Sequence, residues 1–320
     1  MIVENNIWLD GIMGVVVGDA LGVPVEFKNR QELMADPVVN MRGYGSFNLP
    51  AGSWSDDTSM TLATLDSLKQ GFDLHDIMKN FVKWIRQAEY TPFGSVFDVG
   101  NICYRGIKNY ELNGDINRCG SDKYYENGNG SLMRILPVCL FFYQKQNKDA
   151  ISDEEVIHKI HAVSALTHAH ARSLVACGIY HFMIKSILDN NGTLIERLQT
   201  GVDAAFEFYK NTNMDAEELE YYNRIRNLGQ FVFEAEENIK SSGYVVDSLE
   251  AAVWCLINTD SYEACTLKAV NLGEDTDTVS AIAGGLAGLY YGYENIPKEW
   301  LAVIQKREWI EEMCKVEGEE

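Results

Sequence analysis

Two acidic clusters stand out as residues that could do chemistry. Gly52-Ser-Trp-Ser-Asp-Asp-Thr-Ser59 sets Asp56 beside Asp57, and Asn271-Leu-Gly-Glu-Asp-Thr-Asp-Thr278, more than two hundred residues later, places Glu274, Asp275 and Asp277 within four positions. Each precedes a run that reads as a helix, and Ser, Thr and Asp oxygens suit the free N–H groups of a first turn. Capping accounts for one of each pair only, because neighbours on a helix point about a hundred degrees apart. A fifth acid, Glu26, follows Pro24 at the end of a glycine-spaced segment. If these groups converge, the repulsion is large: two carboxylates ~4 Å apart repel by roughly 4 kcal/mol at an effective dielectric of 20. No Lys or Arg lies inside either cluster. Hard divalent cations prefer carboxylate, hydroxyl and water oxygens, so Mg²⁺, Mn²⁺ or Ca²⁺ is one reading. Independent caps and surface acids are the other.

The elements that must position these acids read as helices almost throughout. Six prolines interrupt the chain, and apolar residues recur at helical spacing in 60–69, 75–88, 154–166, 171–188, 194–210, 215–240, 247–257 and 261–270. Alternating β-branched runs are nearly absent, which predicts an all-α fold. Two further segments carry small residues on one face: Gly11, Gly14, Gly18 and Gly22, then Ala281, Gly284, Gly285 and Gly288. Glycine costs about 0.5–1 kcal/mol in a helix interior, so such stripes predict two central helices in close contact. The acidic stretch 215–220 reads as solvated helix surface. No repeat or long linker divides residues 1–320, which read as one domain.

Composition excludes several function classes. A net charge of −20 argues against a nucleic-acid footprint or binding to anionic lipid. Seven cysteines, odd in number and never spaced CxxC, favour free thiols in a reducing compartment, and the N-terminus lacks a signal pattern; the cytoplasm is expected. The small-apolar run at 279–291 and the run at 12–17 are shorter than the roughly 20 residues of a membrane span.

Five stretches, in this order, resemble the motifs of the ADP-ribosylglycohydrolases: Gly18-Asp-Ala-Leu-Gly-Val-Pro-Val-Glu26, Trp54-Ser-Asp-Asp-Thr-Ser-Met60, Gly128-Asn-Gly-Ser-Leu-Met-Arg134, Thr167-His-Ala-His-Ala171 and Gly273-Glu-Asp-Thr-Asp-Thr278. The resemblance runs from about residue 8 to 293. It implies a compact orthogonal bundle of many helices and hydrolysis of the bond joining ADP-ribose to an acceptor such as an arginine or serine side chain. It further implies a centre of two divalent cations, Mg²⁺ or Mn²⁺, held by Ser55, Asp56, Asp57, Asp275, Asp277 and Thr278. Such cations would hold the ribose hydroxyls and orient the anomeric carbon for attack by water, with Glu26, Asp56 and Asp277 as catalytic groups and Glu26 as general base or metal ligand. Substrate contacts implied by the resemblance are the loop Gly128-Asn129-Gly130-Ser131, the loop carrying Asp98, Gly100 and Asn101, and His168. Free ADP-ribose would be the product, and an ADP-ribosylated protein or small ADP-ribosyl compound the substrate.

Two positions depart from the family pattern. Ser55 stands where threonine is common, and Glu274 replaces the second glycine of a pair, where a positive φ would strain it. Competing motifs fail: Met60 occupies the last aspartate of a DDxxD diphosphate site, and no histidine precedes His75-Asp76 to complete an HD phosphohydrolase set. A non-catalytic ADP-ribose reader, a crystallin-like relative or a toxin-immunity protein on the same scaffold is the rival reading.

Overall fold

A computed structural model describes residues 6–212 and 216–315. In chain order its helices are α1 (Ile7–Gly22), α2 (Arg30–Ala35), α3 (Asp56–Leu68), α4 (Leu74–Gln87), α5 (Asn101–Asn113), α6 (Leu136–Asp149), α7 (Asp153–Ser164) and α8 (Ala171–Leu188). The remainder are α9 (Leu194–Asn211), α10 (Ala216–Glu220), α11 (Leu228–Phe231), α12 (Val245–Ile257), α13 (Tyr262–Asn271), α14 (Thr276–Tyr291), α15 (Lys298–Val303) and α16 (Arg307–Met313). Among the described residues there is no β-strand, only isolated bridges joining Ser121 to His168 and Gly128 to Tyr244. The expected all-α class holds.

The two small-residue segments become α1 and α14, which run antiparallel in direct backbone contact. A Cβ on Gly14 would stand 2.2 Å from the Gly284 carbonyl oxygen, and one on Gly18 would stand 2.2 Å from that of Ser280. Any larger residue would force the pair apart. Hydroxyls from flanking helices fix both: Tyr262 Oη donates to Gly14 O at 2.7 Å, and Tyr180 Oη donates to Ile282 O at 3.0 Å. Both helices are buried along nearly their whole length, with α3, α6, α8, α12 and α13 packed around them. Apolar faces all round are what such central helices require.

Three expectations change. The single helix read over 215–240 is instead α10, a 3₁₀ turn at Asn223–Arg226, α11 and a second turn at Glu236–Asn238; residue 215 itself lies outside the described residues. Its buried side chains, Tyr222, Ile225, Leu228 and Phe231, fall every three residues, a spacing that 3₁₀ turns satisfy as well as an α-helix does. Asn227 caps a new start there by accepting from Gln230 N. Nor is 215–220 wholly solvated: buried Glu218 accepts from Arg172 Nε at 2.7 Å and Nη2 at 3.1 Å. Finally, Ile7–Val25 spans 19 residues and is long and apolar enough to cross a membrane, because α1 continues past the glycines that interrupt its apolar runs. Here 89% of that stretch is buried inside the fold, as for a core helix.

Candidate functional site

The antiparallel pairing brings the C-terminal end of α1 to the N-terminal end of α14: a Cβ on Gly22 would lie 2.4 Å from the Asp277 Cα. Beyond Gly22 the chain makes one 3₁₀ turn, Val23–Val25, and delivers Glu26, which is 5% exposed. Two backbone bonds then stitch this segment to the second acidic cluster, from Phe27 N to Glu274 O (2.8 Å) and from Glu274 N to Lys28 O (2.7 Å). Gly273 and Glu274 both take positive φ, +84° and +62°, to make this turn. The strain expected of a glutamate there is therefore present, and its side chain is exposed.

The start of α3 is fixed by a residue outside the acid set read from the sequence. Asp19, fully buried on α1, accepts from Ser55 N (3.0 Å), Thr58 N (3.0 Å) and Thr58 Oγ1 (2.6 Å). The helix cap itself is Ser55, whose Oγ accepts from Asp57 N. Capping therefore consumes neither Asp56 nor Asp57. The sequence signal for Asp19 was the one acid within the apolar, glycine-striped stretch 11–22.

Together these elements converge the acids. Carboxylate oxygens of Glu26, Asp98 and Asp277 all lie within 4.8 Å of one another. Asp98 thus joins the acidic cluster, whereas the sequence placed it on a ligand loop. Asp57 Oδ2 accepts from Ser55 Oγ at 3.1 Å and from Thr278 Oγ1 at 3.2 Å, linking the two motifs directly. Asp56 Oδ2 accepts from Gly100 N at 3.2 Å. Asp275 Oδ2 accepts from Asn129 Nδ2 at 2.8 Å, and the same amide also donates to Ser248 Oγ at 2.9 Å. Three buried oxygens, Glu26 Oε2, Asp57 Oδ1 and Asp277 Oδ2, have no hydrogen-bond donor. Buried polar atoms are rarely left so, and a cluster of orphaned carboxylate oxygens fits hard cations as their missing partners.

The electrostatics agree. Burial, and after it the neighbouring carboxylates, drives the pKa of Glu26 up to about 10. Asp98 is raised to about 6, again chiefly by burial and then by Asp275. Burial also lifts Asp56, Asp57 and Asp277 well above the usual aspartate range, and Asp275 rises for the same reason. The Glu26 and Asp98 carboxyls, hydrogen-bonded to each other, titrate as a pair.

A cavity of about 230 Å³ opens onto this cluster. Glu26, Asp56, Asp98, Asp275 and Thr278 line it, with Gly100, Asn101, Gly128, Asn129, Gly130 and His168. Ser55, Asp57 and Asp277 are buried and do not line it. His168 turns Nδ1 to Thr167 Oγ1 at 2.8 Å, and Arg134 Nη2 holds that hydroxyl at 2.7 Å. Burial lowers the His168 pKa to about 3, so the imidazole is neutral. Its Nε2 edge faces Gly128 and Gly130. Ser131 departs from the expected ligand loop: it is fully buried, accepts from Ser164 Oγ at 2.9 Å and does not line the cavity. The backbone N–H of Asn129 is likewise engaged, donating to Gly243 O at 3.0 Å, while its side-chain amide holds Asp275. Larger hollows of about 820 and 830 Å³ lie elsewhere, and neither contains any of these carboxylates.

The chain matches the ADP-ribosylglycohydrolase family over residues 8–319 and belongs to it. It is 32% identical over 307 residues to the ADP-ribosylarginine hydrolase Tri1 of Serratia proteamaculans, covering 95% of this chain and 76% of that protein. It is 31% identical over 303 residues to the ADP-ribosyl-[dinitrogen reductase] glycohydrolase of Rhodospirillum rubrum, covering 93% and 90%. Among solved structures, an ADP-ribosylglycohydrolase-related protein complex superposes with a TM-score of 0.77 at 29% identity, over 97% of this chain and 95% of the other.

Proposed function

We propose that this protein hydrolyses the C1″ glycosidic bond between ADP-ribose and an acceptor side chain, arginine foremost, with two divalent cations, Mg²⁺ or Mn²⁺. The observation that carries the reading is the trio of donorless buried oxygens on Glu26, Asp57 and Asp277. The arginine preference leans on the hydrolases of ADP-ribosylarginine at about a third identity. Ser55, Asp56, Asp57, Asp275, Asp277 and Thr278 would hold the cations, with Asp98 and Glu26 at the same cluster. When bound, the cations neutralise the acids and hold the ribose hydroxyls.

The chain's own groups do the remaining work. Asn129 and Ser248 keep Asp275 in its rotamer, and Asp19 keeps the start of α3 against α1. Glu26 and Asp98 act as one proton-holding pair beside the cavity. The pair takes a proton from the water whose oxygen attacks C1″ and returns one to the leaving guanidino nitrogen as the C1″–N bond breaks. His168, neutral, offers Nε2 at the rim near Gly128 and Gly130. Seven free, buried cysteines support a reducing, cytoplasmic setting.

The test is release of ADP-ribose from arginine-linked and serine-linked ADP-ribosyl peptides, with Mg²⁺, with Mn²⁺ and with chelator. Asp56→Ala and Asp277→Ala should abolish turnover while helical circular dichroism persists; full activity in both contradicts the assignment. Binding of ADP-ribose with no release under any condition would favour the reader.

A further inference from the structure

Next to two of the acids in the chain stands a cluster of three phenylalanine rings, Phe27 largely exposed and Phe47 and Phe97 half-buried. Phe27 directly follows Glu26, Phe97 directly precedes Asp98, and Phe47 joins the two rings, with centroids 6.1 Å from Phe27 and 5.1 Å from Phe97. Phe27 is 71% exposed, and Met34, Val39 and Tyr44 on the following stretch are exposed to the same degree. Phe27 also sits at φ +68°, a conformation that glycine or asparagine adopts at less cost than a bulky aromatic. Neither burial nor turn geometry therefore accounts for a phenylalanine at this position.

We infer that Phe27, Phe47 and Phe97 form an acceptor-side ledge, which receives the guanidinium and adjoining peptide of an ADP-ribosylated arginine while the ribose lies against the acids. This rests on the glycohydrolase reading above and names the acceptor class for the same site. Charge complementarity selects the occupant: a guanidinium stacks on aromatic faces, Asp98 directly follows Phe97, and the chain carries a net charge of −20. A serine acceptor offers no cation for these rings. The ledge therefore discriminates between linkages that share the same ADP-ribose.

The experiment pairs Phe27→Leu/Phe97→Leu, which keeps apolar bulk and removes the π faces, with Phe27→Trp, which restores a stronger one. For an arginine-linked ADP-ribosyl peptide, the double variant should raise KM about tenfold, with Phe27→Trp at or below the wild-type value. KM for the serine-linked peptide and inhibition by free ADP-ribose should each move less than about twofold, since neither engages the rings. Equal losses on both peptides, or no loss on the arginine-linked one, overturn the ledge. A separate titration of N-acetylarginine methylamide into protein saturated with ADP-ribose, followed by NMR shifts of the phenylalanine rings, reads the ledge without turnover. Shifts that vanish in the double variant support it, and absence of shifts in the wild type overturns it. A wild type that cleaves neither peptide yet shows those shifts would refute the hydrolase reading and leave the ledge standing.

Discussion

Asp19 and Thr58 are bonded twice: one carboxylate oxygen of Asp19 accepts from both the backbone N–H of Thr58 at 3.0 Å and its hydroxyl at 2.6 Å. With Ser55 N as a further donor, this ties α1 to the first turn of α3 behind the acidic cluster. Asp19→Ala strands these donors in the core and should cost about 3 kcal/mol in chemical denaturation. It should also weaken stabilisation by Mg²⁺ or Mn²⁺, although Asp19 is not among the proposed ligands. A loss of stability with unchanged cation response would make Asp19 a purely structural brace.

The orphaned oxygens predict an opposition between stability and function. Asp57→Asn and Asp277→Asn remove buried charge while keeping shape, so each should stabilise the cation-free protein by about 1–3 kcal/mol. Turnover should fall at least about 100-fold in the same variants. Melting curves in chelator, set beside initial rates, check both halves.

Protonation gives a third expectation. Asp19 and Asp98 have folded-state pKa values raised to about 6, and Glu26 to about 10. The folded state therefore holds protons that the unfolded chain has released, and this contribution is complete below about pH 4 and declines as pH rises through 6 and on toward 10. In chelator the melting temperature should fall from pH 5 to pH 8. The gain on adding Mg²⁺ should be larger at pH 8, where protons no longer compete for the carboxylates. A cation gain independent of pH would argue that the acids bind no metal.

Glu274→Gly tests the strained turn. Glycine meets φ +62° at little steric cost, so the variant should gain about 0.5–1 kcal/mol in denaturation. Cation affinity should stay within about twofold, because the Glu274 carboxylate is exposed. A large change in affinity would mean that this charge reaches the cluster through the turn.

The sequence disclosed what depends on local spacing. Glycine stripes announced α1 and α14, and paired acids ahead of apolar runs marked the two arms that Asp57 and Thr278 join. Asp98 was assigned to a ligand loop by the family resemblance alone; its place beside Glu26 and Asp277 is a tertiary fact. Asn129 was read as part of a substrate-contact loop, and no spacing rule ties it to Asp275, 146 positions away. Ser131 was read into the same loop, yet the turn carries its hydroxyl inward to Ser164. The 215–240 stretch misled because a three-residue period fits two kinds of helix.

The contact of Gly14 and Gly18 against the backbone of α14 has a bearing on how this chain can change over evolutionary time. Connections such as 189–193 are free to lengthen. One residue inserted between Gly14 and Glu26, or between Asp277 and Gly284, would swing everything beyond it by about a hundred degrees and scatter the carboxylates. Those short intervals act as a fixed ruler, and the catalytic inheritance of the molecule is written in their length as much as in their letters.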